Sequence, residues 1–212
     1  MKCIERSEDM PLIPLMFDIS DKQVVVIGGG KVAERRVQTL AQYTKHILVI
    51  SPTLTDVLQK LFENSVIKWC KREFQVADVQ TASLIIVATN DSATNKQVLE
   101  AKPHHALVNY AEDVTAGDIA FPSILQRGKL TLSVSTQGAS PGLTSQILQE
   151  FRDRYDEHYE AYVDFLYECR QRIKQSQLTA SERKQFLKDI LSSDYLNKHK
   201  QYEVRTWLDS IT

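Results

Sequence analysis

Hydrophobic and polar positions follow two regimes along this chain. In the first half, short and almost unbroken apolar runs recur at 24–27, 46–50, 83–88 and 106–109, with a shorter β-rich run at 66–70. Runs of this length, rich in Val and Ile and apolar at consecutive positions, predict parallel strands buried on both faces. The segments between them change period. From Lys31 onward Val32, Val37, Leu40 and Ala41 fall on one side of a helix facing the sheet, and 53–64 carries Leu54, Val57, Leu58 and Leu61 at helical spacing. Another helix follows Thr89-Asn90-Asp91. Strand, helix, strand in this rhythm predicts a parallel sheet with right-handed crossovers.

The second half reads differently. Strands at 121–126 and 130–136 are separated by Arg127-Gly128-Lys129, a hairpin spacing rather than a crossover. Ser140 reads as an N-cap and Pro141 as a first helical residue. From Leu143 onward no strand signal returns. Phe151, Tyr155, Tyr159, Tyr162, Val163, Leu166 and Tyr167 form an aromatic and apolar stripe, expected in a core or a subunit contact; 181–191 and 202–211 are amphipathic.

Within the first regime, Gln-Val-Val-Val-Ile-Gly-Gly-Gly-Lys-Val-Ala at 23–33 carries the chemistry. A strand that breaks into Gly28, Gly29 and Gly30 and then opens a helix at Lys31 fits the G-x-G-x-x-G/A dinucleotide fingerprint. Gly28 permits the tight turn, Gly30 leaves room for a pyrophosphate, and Ala33 takes the third small position. The free amides of the helix's first turn would face the negative ligand. In such sheets ligands bind beyond the carboxyl ends of the strands, a rule that gathers 28–30, 51–53, 89–91 and 109–113 on one edge. The expected fold is therefore α/β: a Rossmann-like parallel sheet, a central hairpin region for dimerisation, and a C-terminal helical domain. The expected boundaries are 1–113, 114–150 and 151–212.

Composition narrows the classes. The 212 residues carry a formal net charge of −1, giving no electrostatic footprint for nucleic acid or an acidic membrane. Cys3, Cys70 and Cys169 are scattered and form no C-x-x-C pair, as expected of reduced thiols in a cytoplasmic protein. His104 and His105 are adjacent and diverge, and His46, His158 and His199 are isolated, so no metal site is expected. No apolar run approaches bilayer length, and 1–9 lacks the apolar core of a signal peptide. The second strand ends in Ser51-Pro52-Thr53, without the acidic residue that often holds a ribose 2′-hydroxyl; no arginine follows closely to hold a 2′-phosphate, which favours NAD over NADP.

Taken together the segments resemble one family, the precorrin-2 dehydrogenase module of siroheme synthases. The resemblance runs over about 14–150 and rests on Pro14-Leu15-Met16-Phe17-Asp18, the Gly28–Arg35 stretch, Val49-Ile50-Ser51-Pro52, and Val87-Ala88-Thr89-Asn90-Asp91 with Asn95. It continues through Val108-Asn109, Phe121-Pro122-Ser123-Ile124 and Arg127, and closes on Ser133-Val134-Ser135-Thr136-Gln137-Gly138-Ala139-Ser140-Pro141. It implies NAD-dependent oxidation of precorrin-2 to sirohydrochlorin; a homodimer is expected separately, from the central hairpin and the apolar stripe of Phe151, Tyr155, Tyr159 and Tyr162. It also implies cofactor contacts from Gly28, Gly29, Gly30, Lys31 and Val32 and from Ser51, Pro52 and Thr53. With the edge rule, Thr89, Asn90 and Asp91 join them. Substrate contacts are expected from Asn109, Arg127, Ser135, Thr136, Gly138 and Ser140. The working carboxylate of relatives follows the V-N strand, where this chain offers Glu112 and Asp113.

Two departures bear on the neighbouring chemistry. Relatives carry arginines after Ser-Pro where Ser145 and Leu148 stand here, and Gly128 replaces a serine of some bifunctional members. Both argue for dehydrogenation alone over a combined dehydrogenase and iron chelatase. A third possibility is a non-catalytic NAD-sensing dimer, in which the S-T-x-G-A-S-P turn has no evident task.

Overall fold

Val24, Val25, Val26 and Ile27 leave no room for a polar face, and the chain buries all four as the central strand β1 (Val24–Ile27). In a computed structural model, residues 12–111 and 116–211 are described. The order continues α1 (Lys31–Leu40), β2 (Ile47–Ile50), α2 (Asp56–Glu63), β3 (Lys68–Cys70), a 3-10 turn at Val76–Val79, β4 (Leu84–Val87), α3 (Ser92–Ala101) and β5 (Leu107–Tyr110). All four strand pairings are parallel, in the order β3-β2-β1-β4-β5. The order reverses direction at β1/β4, which is where a doubly wound sheet opens its crevice. Burial sets this arrangement more than hydrogen bonding. A fully buried Val or Ile is worth about 1.5–3 kcal/mol, against a net of about 1 kcal/mol for a backbone hydrogen bond.

The two faces of the sheet are separate cores. Val24, Val26, Val49 and Ile86 pack under α1 and α2 through Ala33, Val37, Leu40 and Leu58. Val25, Ile27, Ile85, Val87 and Val108 pack with Val98 of α3 and Val79 of the 3-10 turn. That short turn has no sequence period. It is held by Asp78, which accepts from Arg72 Nη1 at 2.8 Å, Arg72 Nη2 at 2.6 Å and the Gln75 N–H at 2.8 Å. One expectation is corrected here. Val32 does not face the sheet but is 37% exposed, and Ala33 occupies the buried place. The glycine turn fixes the phase of α1, and 33, 37 and 40 form the inward row.

The chain divides into two compact units, Met1–Phe121 and Pro122–Thr212. The second begins with β6 (Ser123–Arg127) and β7 (Leu130–Val134), an antiparallel hairpin. Gly128 at its tip has φ +54°, the left-handed region glycine favours. Helices α4 (Pro141–Arg154), α5 (His158–Ile173), α6 (Ala180–Asp189) and α7 (Lys198–Ile211) follow. Phe165, Cys169, Ile173, Ile190 and Leu208 form the core of the last three. Burial pushes the Cys169 thiol up to about 11, so it packs as an inert apolar group.

The aromatic stripe lies on two helices, because the chain leaves helical geometry at Tyr155. Its rings form an edge-to-face ladder: Phe151–Tyr155 at 6.3 Å, Tyr155–Tyr159 at 5.0 Å and Tyr159–Tyr162 at 5.9 Å. The ladder enters the core at Tyr162, whose hydroxyl donates to Ile190 O at 3.0 Å. Tyr167 stays exposed beneath the Lys129 ammonium.

Candidate active site

The three glycines do three different jobs. Gly28 has φ +117°, and a Cβ there would stand 2.3 Å from Ala88 O, so the turn out of β1 presses directly against the end of β4. At Gly29 a Cβ would meet Thr53 O at 2.0 Å and Ser51 Oγ at 2.7 Å. The Thr55 N–H also bonds Gly29 O at 3.1 Å, fastening the loop after β2 to the glycine turn. At Gly30 a Cβ would meet no described atom within 4 Å. The space is open where a phosphate must approach.

Gly30 is also the N-cap of α1 and offers no side chain to its first turn. The first-turn amides are therefore available to an anion, with the helix dipole adding to their pull. Lys31 does not stand free beside them. Its ammonium bonds both Glu34 oxygens, at 3.0 and 3.1 Å, and the Thr55 hydroxyl and Lys31 hold that carboxyl below its usual range.

A cleft of about 300 Å³ opens at the switch point, lined by Val32, Ala88, Thr89, Asn90 and Ala111. Its polar rim is braced from within. Thr89 Oγ1 donates to Asn95 Oδ1 at 2.6 Å, and Asn95 Nδ2 returns a bond to Thr89 O at 3.2 Å. Asp91 caps α3, accepting from the Ala93 and Thr94 amides at 3.2 Å and from the Thr94 hydroxyl at 2.5 Å. The Thr94 hydroxyl and these amides lower its pKa. Asp91 thus shapes the edge of the cleft, while Thr89 and Asn90 line it.

On the β2 side, Ser51 is buried, with Oγ donating to Thr53 O at 2.7 Å, and its carbonyl accepts the Trp69 indole N–H at 2.9 Å. Pro52 and Thr53 are exposed beside it. The cofactor candidates at 28–32, 51–53 and 89–91 therefore share the carboxyl edge of one sheet.

Glu112 and Asp113 lie outside the described residues. The chain on either side is well anchored: Asp118 accepts the Val108 N–H at 2.9 Å and pairs with Lys102 at 2.5 Å, and the Asp118 N–H returns to Val108 O at 2.8 Å. Asn109, 2% exposed, donates through Nδ2 to Ile119 O at 3.0 Å, and its Oδ1 has no partner among the described residues. Sequence reasoning marked Asn109 but gave no sign of that isolation, since a polar residue inside a strand has no signature of its own. A buried acceptor left unpaired costs about 1–3 kcal/mol.

The substrate candidates of the second unit form a self-contained turn. β7 ends at Val134, so Ser135 and Thr136 enter the turn itself. Thr136 Oγ1 accepts the Ser140 N–H at 3.1 Å and lies 3.2 Å from Thr144 Oγ1. Ser135 Oγ accepts the Gln137 N–H, and Ser140 Oγ caps α4 through the Leu143 N–H, both at 3.2 Å. Gln137 and Gly138 take positive φ, and space beside Gly138 is open. Arg127 uses Nε on Tyr155 O at 3.2 Å and Nη1 on Gln126 O at 3.1 Å, tying the hairpin to the α4–α5 corner.

Comparison with known proteins supplies the family. The description "Putative NAD(P)-binding" matches residues 15–123. Precorrin-2 dehydrogenase of Priestia megaterium is 35% identical over 190 residues, 89% of this chain and 94% of that protein. The chain belongs to the precorrin-2 dehydrogenase family. Precorrin-2 dehydrogenase of Bacillus subtilis (strain 168) is 34% identical over 161 residues and is covered to 99%. A solved structure described as "SirC, precorrin-2 dehydrogenase" superposes with a TM-score of 0.81 at 32% identity, covering 94% of this chain and all of that one. The helical end matches the "SirC C-terminal domain" at residues 159–204. A siroheme synthase of Mannheimia succiniciproducens is 28% identical, but this chain spans only 41% of its length.

Proposed function

We propose that the chain oxidises precorrin-2 to sirohydrochlorin with NAD as the oxidant. The observation that carries this reading is similarity to precorrin-2 dehydrogenases along nearly their whole length, on a sheet whose glycine turn leaves an open approach at Gly30. The residues present fit a dinucleotide: no Cβ obstructs Gly30, and α1 begins uncapped beside it.

In this reading the first-turn amides of α1 hold the pyrophosphate, Ser51, Pro52 and Thr53 border the adenosine end, and Thr89 and Asn90 border the other end. Bound NAD supplies a hydride acceptor. The chain must hold the macrocycle edge-on to it and take the proton that leaves with the hydride. Asp113 or Glu112 is the proposed proton acceptor, and the turn from Ser135 through Thr136 and Gly138 to Ser140, with Arg127, is the proposed substrate face. Iron insertion is not part of the proposed activity, because Ser145 and Leu148 supply no cation to a carboxylate rim.

We further propose a homodimer formed through the β6–β7 hairpin and the half-buried Phe151 and Tyr155 end of the ladder, working in the cytoplasm. Among the described residues no helix is long and apolar enough to cross a membrane. Anaerobic incubation of the purified protein with precorrin-2, with and without NAD, tests the activity. NAD-dependent conversion to the sirohydrochlorin spectrum is expected, and an unchanged spectrum refutes it.

A further inference from the structure

Lys31 is the first residue of α1, where a cation works against the helix dipole. An acid that follows its lysine along a helix also makes the weaker form of such a pair. Helix stability therefore does not account for Lys31 and Glu34. Yet the ammonium is held at 3.0 and 3.1 Å from the two Glu34 oxygens, although the Lys31 side chain is 75% exposed.

The acid is fixed from a second side. Glu34 is buried, and its carboxylate takes a bond from the Thr55 hydroxyl. Thr55 belongs to the loop after β2. Its hydroxyl oxygen accepts the Leu58 N–H at 3.4 Å as the N-cap of α2, and its own N–H bonds Gly29 O. A Cβ at Gly29 would in turn meet Thr53 O and Ser51 Oγ. The Lys31 ammonium is thus drawn toward the side of α1 that faces the end of β2.

That end is where a dinucleotide-binding sheet receives the adenosine ribose. An acid there takes the 2′-hydroxyl, and a cation nearby takes the 2′-phosphate that distinguishes NADP from NAD. Ser51 cannot replace the acid, since its hydroxyl is committed to Thr53 O at 2.7 Å. Lys31 could serve as the cation, but Glu34 occupies it. We propose that Glu34 sets a preference for NAD over NADP, holding the Lys31 ammonium away from a 2′-phosphate and opposing that phosphate with its own charge. The inference rests on the NAD-dependent reading above and makes Glu34 a positioning residue that acts through Lys31.

The test is calorimetric titration of the intact protein with NAD and with NADP. The unmodified protein should bind NAD the more tightly. Glu34→Gln keeps the size of the side chain and an acceptor for the Thr55 hydroxyl, but releases Lys31. NADP should then bind about five- to tenfold more tightly than before, the worth of one charged hydrogen bond, with NAD affinity little changed. Adding Lys31→Met to Glu34→Gln should remove the gain, a dependence that a merely structural role of Glu34 would not produce. Equal affinities for the two dinucleotides in the unmodified protein, an unchanged ratio in Glu34→Gln, or a gain that survives Lys31→Met overturns the assignment while leaving NAD dependence intact. If neither dinucleotide binds the unmodified protein, the NAD reading falls and this assignment with it.

Discussion

Substitutions at Gly28 and Gly30 should fail in opposite ways. Gly28→Ala puts a Cβ 2.3 Å from Ala88 O, against backbone that cannot swing aside, at a φ of +117°. The backbone conformation costs about 1–3 kcal/mol and the overpacking about 1–3 kcal/mol, together about 2–6 kcal/mol. For a chain of this size that lowers the melting temperature by about 5–20 °C. Gly30→Ala adds a Cβ to open space at φ −85°, so the stability change should stay below about 1 kcal/mol. Gly30→Leu should also fold, yet lose NAD binding, because its side chain fills the approach to the first-turn amides. Scanning calorimetry gives the stabilities and titration calorimetry the NAD affinities. A Gly28→Ala variant that melts with the unmodified protein, or a folded Gly30→Leu variant of unchanged NAD affinity, would refute the reasoning.

Three further outcomes follow from other parts of the molecule. The Arg72 guanidinium beside Asp78 holds that carboxyl below its usual range, so the pair stabilises the fold above the unfolded value near 4 and loses its effect as pH falls through the lower folded value. Asp78→Asn should cost about 1–3 kcal/mol at neutral pH, with the melting gap closing in acid; a gap independent of pH would contradict the pairing. If the proposed proton acceptor is Glu112 or Asp113, alanine at the working one should cut turnover by about a hundredfold or more with NAD affinity little changed. Near-normal turnover in both single variants would remove both from the reaction. Sedimentation at micromolar concentration should show a dimer that Phe151→Glu or Tyr155→Glu weakens, and a monomeric unmodified protein would reject that interface.

Much of the first unit was legible because its strands are unambiguous. Val24 to Ile27 and Leu84 to Val87 are apolar at every position and rich in Val and Ile, and their shortness and flanking turn residues mark them as strands covered on both faces. The glycine turn was legible for a steric reason, since Gly28 and Gly29 each fill a gap that a Cβ would overrun. The phase of α1 was not. Val32 and Ala33 are both apolar, and a single helical step decides which one is buried. The break at Tyr155 was hidden because no Gly or Pro marks it and the aromatic spacing continues across it. Phe165 and Cys169, which anchor the core of the second unit, stood outside the stripe read from the sequence. The isolation of Asn109 Oδ1 depends on three-dimensional neighbours and leaves no trace in the chain.

In the proposed reaction electrons from the macrocycle pass to NAD on this protein. The most direct measurement is the yield of NADH against sirohydrochlorin when catalytic amounts of protein meet precorrin-2 and excess NAD without oxygen. Equal amounts of the two products, both lost in the Gly30→Leu variant, are predicted. Sirohydrochlorin formed without NADH, or NAD bound with neither product formed, would contradict that transfer.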